Sequence, residues 1–254
     1  MDVIIDTNII RQDFQLGSRK FLLLFDYLKK AGSGLIIPKI VYDELADVYQ
    51  RDLADKLAKY ERSKTDLDKV LVGKSLIKLN IEVEKEVQSY LAFVRKRLKI
   101  SEDEILPYKS HYLEDVVTRA IKRKRPCSDE GEEFRDALVW LTVLDAAVQS
   151  PQRMIVFISA NTKQFATSDG QLHPDLSAEA EASNVVIKYY RDINNFIEDH
   201  AAKIDYVTRE WLNETIPIET VNQHAIEFIE VSGEQRYLSG LVTAIRHPQV
   251  FSSR

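Results

Sequence analysis

Apolar positions in this chain fall into two patterns: short unbroken runs, and longer stretches spaced as on one face of a helix. Val3-Ile4-Ile5 is the first short run and stops at Asp6-Thr7-Asn8, which predicts a buried strand with a polar carboxyl edge. Between Ser18 and Ala31, Phe21, Leu22, Phe25 and Leu28 recur at helical intervals, and Gly32-Ser33-Gly34 supplies the stop. Leu35-Ile36-Ile37 predicts a second buried strand. Pro38 suits the start of the next helix, where its missing N–H would be unpaired anyway, and Ile40, Val41, Leu45 and Val48 give that helix one apolar face. From Asp43 to roughly Arg125 the chain is almost free of Gly and Pro and rich in Lys, Glu and Leu. This predicts consecutive helices with breaks near Gly73 and Pro107, a helical insertion over about residues 50–125.

Ser128 or Asp129 marks the start of another helix, with Phe134, Ala137, Leu138, Leu141 and Leu144 as its stripe and an end near Val148. Met154 to Ile158 is continuously apolar, as in the middle of a parallel sheet, and Val185 to Tyr190 is a further strand followed by a helix from Asp192. Strands alternating with helices predict an α/β fold over residues 1–200, a doubly wound parallel sheet, because parallel strands need crossover connections. Beyond Asp205 the pattern changes. Ala225 to Val231 and Tyr237 to Ile245, separated by Ser232-Gly233-Glu234, predict a β-hairpin in a small appended segment, residues 201–254, whose role the pattern does not give.

Composition narrows the class. At 254 residues and 44% hydrophobic, the chain can bury a substantial core, which excludes disorder throughout. Charged residues, 30% of the total, interrupt every apolar run well short of the roughly 20 residues a membrane helix needs. Cys127 is the single cysteine, so no internal disulfide forms, and no signal-peptide layout is present; a cytoplasmic location is expected. With 35 basic and 40 acidic side chains the formal charge is −5, which argues against a protein that coats nucleic acid but not against an enzyme that cuts it.

The chemistry gathers at the strand ends. In an open α/β sheet the ligand crevice lies beyond the carboxyl ends of the strands, where Asp6 stands. Glu44 lies little more than one turn into the helix after Pro38, Asp136 in the first turns of the helix from about residue 129, and Asn161 just past Ile158. Each has an ordinary structural alternative: turn former, solvated helix face, dipole partner or cap. Their joint placement at four βα junctions is the stronger statement, since the topology brings those junctions together. Carboxylates crowded in one crevice repel, and a proton or a divalent cation relieves them. Oxygen ligands suit Mg²⁺ or Mn²⁺ and not zinc, for which the five scattered histidines and one cysteine form no pattern. Such a site supports attack of water on a phosphodiester.

The segments Val3-Ile-Ile-Asp6-Thr-Asn8, Pro38-Lys-Ile-Val-Tyr-Asp-Glu44-Leu, Glu133-Phe-Arg-Asp136-Ala-Leu-Val-Trp140 and Val156-Phe-Ile-Ser159-Ala-Asn161-Thr-Lys-Gln-Phe165 resemble, in order and spacing, the acidic motifs of PIN-domain nucleases, and among them a group with a long helical insertion. The resemblance covers about residues 1–200. It implies a doubly wound parallel sheet and a metal-dependent ribonuclease; the family includes toxins of bacterial toxin–antitoxin pairs. It implies that Asp6, Glu44 and Asp136 hold Mg²⁺ or Mn²⁺ with help from Asn161. Thr7, Asn8 and Ser159 would keep these ligands in place, and Glu133 would be an auxiliary group. The fourth position, often Asp in the family, is Asn161 here, and Gln164 stands where a nearby Asp could have helped; a neutral oxygen weakens a second cation position.

The basic run Lys122-Arg123-Lys124-Arg125, with Arg119 one turn earlier, is the candidate nucleic-acid contact. The implied substrate is nucleic acid, RNA ahead of DNA, with no membrane partner and with room for an inhibitory protein partner or a homodimer contact. The rival to a nuclease is a catalytically weak or inactive scaffold that binds RNA or a protein partner. A phosphatase-like hydrolase ranks below both, because its Asp-x-Asp motif would need Asn8 to be Asp. Gly73-Lys74-Ser75 is not a phosphate-binding loop, since Asp68 occupies the required leading glycine position.

Overall fold

A computed structural model describes residues 1–73, 79–101, 104–127 and 133–200. The helix start expected at Ser128 or Asp129, the Lys74 and Ser75 positions, and the hairpin segment 201–254 lie outside the described residues.

The elements run β1 (Asp2–Ile5), α1 (Thr7–Ile10), α2 (Arg19–Ala31), β2 (Leu35–Pro38), α3 (Lys39–Asp68), α4 (Val83–Leu98), β3 (Ile105–Leu106), α5 (Tyr112–Lys122), α6 (Phe134–Gln149), β4 (Met154–Ile158), α7 (Thr162–Phe165), α8 (Pro174–Ala182), β5 (Val186–Tyr190) and α9 (Ile193–His200). The sheet order is β3-β2-β1-β4-β5 and every pairing is parallel. The fold is therefore the α/β doubly wound sheet that the alternation predicts. The chain winds outward from β1 to β3 and returns to place β4 against β1, so the direction of winding reverses between these two strands, where a crevice opens at their carboxyl ends.

The unbroken apolar runs are strands covered on both faces: Val3, Ile4, Ile5, Val156, Phe157 and Ile158 have no exposed surface. α6 packs Val139, Trp140, Val143 and Ala147 into the same core, while its Ala137 and Leu141 pack with Tyr112, Val116 and Cys127 in a second, smaller cluster. On α2 the buried stripe is Phe21, Leu24 and Leu28, while Leu22 points outward at 48% exposure; the inward face is offset from the one the spacing suggested. Gly32 closes that helix in the left-handed region at φ 59°, a conformation that favours glycine, and its N–H caps the Leu28 carbonyl.

α3 is one helix of 30 residues, about 45 Å long at 1.5 Å per residue. Only Val41, Leu45 and Val48 near its start are buried, so the boundary expected near residue 50 falls inside a continuous helix. α4 returns along it, with Tyr90 stacked on Tyr49 at 3.8 Å between ring centres. The segment 50–125 is not wholly helical: Ile105 and Leu106 pair with Ile37 and Pro38 and add the edge strand β3. Among the described residues no helix is long and apolar enough to cross a membrane.

Candidate active site

The carboxyl ends of β1 and β4 are zipped one step beyond the strands, the Asp6 N–H donating to the Ile158 carbonyl at 3.0 Å. This fixes Asp6 at the mouth of the crevice, 4% exposed, where it caps α1. Its Oδ1 accepts the Thr7 N–H at 2.7 Å, and its Oδ2 accepts the Asn8 side-chain amide at 2.7 Å and the Ser159 hydroxyl at 2.6 Å. Two donors on one oxygen and one on the other leave a lone pair on Oδ1 for a cation. Asn8 also ties the two strands together, its Oδ1 accepting the Ala160 N–H at 2.8 Å.

Pro38 ends β2 and starts α3, which delivers Glu44 to the same crevice. The Thr7 hydroxyl donates to Glu44 Oε2 at 2.8 Å, and the Arg135 guanidinium pairs with Oε1. From α6, Asp136 accepts the Asn161 side-chain amide on Oδ1 at 3.0 Å. Asn161 is held in turn by its own N–H, which donates to Ser159 Oγ at 3.1 Å, so one serine hydroxyl positions residues on both strands. Gln164 donates to Glu133 at 3.2 Å.

Asp6, Thr7, Asn8, Glu44, Glu133, Asp136 and Asn161 all line one cavity of about 360 Å³, with Ser159 buried behind them. The sequence reading placed each of these eight at the crevice. It missed Arg135 and Arg11, which line the same cavity. Arg135 had a readable signal, since it precedes Asp136 in the first turn of α6. A larger cavity, about 630 Å³, lies against β5, where Tyr190 is already bonded to Asp199 and Arg191 to Asn195.

The acids feel one another. Burial pushes the Asp6 carboxyl up to about 6, with the Glu44 charge adding to it and the bonds from Ser159, Thr7 and Asn8 opposing. Burial pushes Asp136 up to about 7, reinforced by the charges of Asp6 and Glu44 and opposed by Asn161 and Arg135. A site that charges so reluctantly is short of positive charge. Its candidate ligands are all oxygen, the carboxylates of Asp6, Glu44, Glu133 and Asp136 and the amide carbonyl of Asn161, which matches a hard divalent cation. Among the described residues, however, no three His, Cys, Asp or Glu side chains stand as a ready-made ligand cluster. Glu44 is held instead by Thr7 and Arg135.

The basic run divides into fixed and free parts. Arg119 is 3% exposed, paired with Glu179 and bonded to the Arg125 carbonyl, which corrects its assignment as a nucleic-acid contact: a buried, neutralised cation cannot meet phosphate. Lys124 shares Glu179 at 3.0 Å, and Arg125 donates to the Lys163 carbonyl at 2.6 Å, so both fasten the segment to the domain. Lys122 and Arg123 are exposed.

The chain matches the family model described as PIN domain over residues 3–165. Comparisons with curated proteins and with solved structures gave no match.

Proposed function

This chain belongs to the PIN-domain family, whose members are in general nucleases, and on that premise we propose that it is a divalent-metal-dependent ribonuclease. The observation that carries the proposal is the convergence of Asp6, Glu44, Asp136 and Asn161, from four different junctions, on one cavity at the reversal point of the sheet. Asp6 Oδ1, Asp136 and the Asn161 amide oxygen are the groups that would hold Mg²⁺ or Mn²⁺, with Glu44 as the further carboxylate. The cation would supply neutralisation of charge on the phosphoryl oxygens and a more acidic water nucleophile. Ser159, Asn8 and Thr7 fix the acids and keep them from collapsing away from one another. RNA is the proposed polymer because the family's nucleases are often ribonucleases, and of the basic run Lys122 and Arg123 are the groups left to meet its backbone outside the cavity.

Wild-type protein should cut single-stranded RNA with Mn²⁺ or Mg²⁺ and stop in EDTA, read on labelled RNA and DNA oligonucleotides side by side. A second reading, a non-cutting RNA-binding scaffold, is favoured by the neutral Asn161 and by the lack of a ready-made ligand cluster among the described residues. Tight RNA binding with no cleavage under any cation would select it.

Raised carboxyl values also set a pH dependence. Protons compete with the cation for Asp136 below about 7 and for Asp6 below about 6. The apparent Mn²⁺ affinity should therefore weaken on the order of tenfold from pH 8 to pH 6. Calorimetry in buffers of different ionisation heat should show proton release on binding at pH 6 and little at pH 8. Equal affinity and no proton release at both would refute the assignment of these acids as ligands.

A further inference from the structure

Glu44 is the carboxylate that the free protein withholds. Its Oε1 is paired with Arg135 and its Oε2 accepts the Thr7 hydroxyl, so its charge is spent on a guanidinium. Arg135 is adjacent to Asp136 in the first turn of α6, and its side chain is 64% exposed, against 20% for Glu44. It therefore has solvent to move into while Glu44 stays at the cavity wall. A guanidinium binds a phosphate diester as well as a carboxylate, in the same forked geometry. A divalent cation and Arg135 cannot both neutralise Glu44 without repelling each other.

We propose that Arg135 has two positions: it neutralises Glu44 in the free protein, and it moves to the phosphate of an entering polynucleotide, releasing Glu44 to the cation. Substrate and cation then bind cooperatively, and the ligand set is completed only when there is a phosphodiester to cut. The inference rests on the metal-dependent nuclease reading of this site. Arg135 is here a positioning residue that acts through Glu44. Arg11 is its natural control: it lines the same cavity, is exposed, and its side chain makes no bond or ion pair among the described residues.

The test is calorimetric titration of Mn²⁺, alone and with a cleavage-resistant phosphorothioate RNA oligonucleotide, into wild type, Arg135→Gln and Arg11→Gln. Arg135→Gln should bind Mn²⁺ alone roughly fivefold tighter than wild type, the size of a partly exposed ion pair removed from competition. The oligonucleotide should tighten Mn²⁺ binding in wild type, and this gain should shrink by a similar, roughly fivefold, factor in Arg135→Gln, because coupling between two ligands is reciprocal. Arg11→Gln, which removes the same charge from the same cavity without touching Glu44, should stay within about twofold of wild type for Mn²⁺ alone and keep the gain. Unchanged or weaker Mn²⁺ binding in Arg135→Gln, or an equal effect of Arg11→Gln, overturns the proposal while leaving the nuclease reading standing. Absence of Mn²⁺ binding in all three proteins overturns the nuclease reading and this inference with it.

Discussion

Asp136→Asn should lower metal-dependent RNA cleavage on the order of 10³-fold, and it should also make the cation-free protein more stable at pH 8. The first effect follows from removing a carboxylate that faces the cation. The second has the opposite sign and comes from the same cause. The folded protein holds the Asp136 carboxyl at about 7 against an ordinary 3.8, so between these values the unfolded chain gives up the proton first and folding is penalised. The penalty is absent below about pH 4, grows as pH rises, and is complete above about pH 7. A rise of that size corresponds to at most about 4 kcal/mol. Partial exposure of the site brings the expected gain to on the order of 2 kcal/mol, about 4 to 8 °C in Tm for a domain of this size. Asparagine keeps the acceptor that Asn161 uses, so the change removes charge and little else. Melting curves of both proteins in EDTA at pH 4 and pH 8 should coincide at the first and separate at the second. Curves that separate equally at both would remove the charge argument, and unimpaired cleavage would remove Asp136 from the site.

Asp6→Asn is not an equivalent experiment. Asp6 accepts from a backbone N–H on one oxygen and from an amide and a hydroxyl on the other. An amide nitrogen put at either place faces a donor. The variant would lose cleavage as Asp136→Asn does, but with a fold penalty of roughly 1–3 kcal/mol from the misplaced donor set against the relief of charge.

The difference between these two acids marks how far the sequence could be read. β5, an edge strand with no fully buried residue, was legible from its β-branched and aromatic side chains. Strands β1 and β4 were legible because a strand buried on both faces must be apolar at every position, and because polar residues stand where each run ends. That edge placed Asp6, Ser159 and Asn161. What each acid is bonded to was not legible: Thr7 meets Glu44, and Asn161 meets Asp136, only in the assembled fold, 37 and 25 positions apart in the chain. β3 escaped because two residues, Ile105 and Leu106, make no pattern. α8 escaped because only Leu176 and Ala180 among its small and polar residues are buried. α5 would mislead any reading by hydrophobicity. Its outward face carries Leu113, Val117 and Ile121, at 70%, 43% and 75% exposure, while the inward face is Tyr112, Val116 and the charged Arg119. An arginine on the inward stripe makes sense only with Glu179, which lies on a helix 60 positions further along the chain.

Glu179→Ala should therefore be among the most damaging substitutions outside the cavity, lowering stability by about 3–5 kcal/mol. Its carboxylate, 18% exposed, pairs with Arg119 and Lys124 and accepts the Trp140 indole N–H at 2.7 Å, joining α8, α5 and α6. Without it, the Arg119 guanidinium stays buried with the Arg125 carbonyl as its remaining acceptor, and its Nε already has none. Trp140 Nε1 loses its partner in a fully buried position. Burial pushes the Glu179 carboxyl up, but the bonds from Arg119, Trp140 and Lys124 outweigh it and hold the group below its ordinary value. Its stabilisation is thus present above the ordinary glutamate range and is lost as pH falls through the lowered folded value. The stability gap between wild type and Glu179→Ala, measured by urea unfolding, should be full at pH 7 and narrow towards pH 3. Glu179→Gln separates charge from contact. It can still accept from Trp140 but cannot neutralise Arg119, so it should fall between wild type and alanine. Trp140 sits one turn beyond Asp136 on α6, which makes this buried triad the support under the helix that carries the site. A Glu179→Ala protein as stable as wild type would show that Arg119 finds another counter-charge and that the support lies elsewhere.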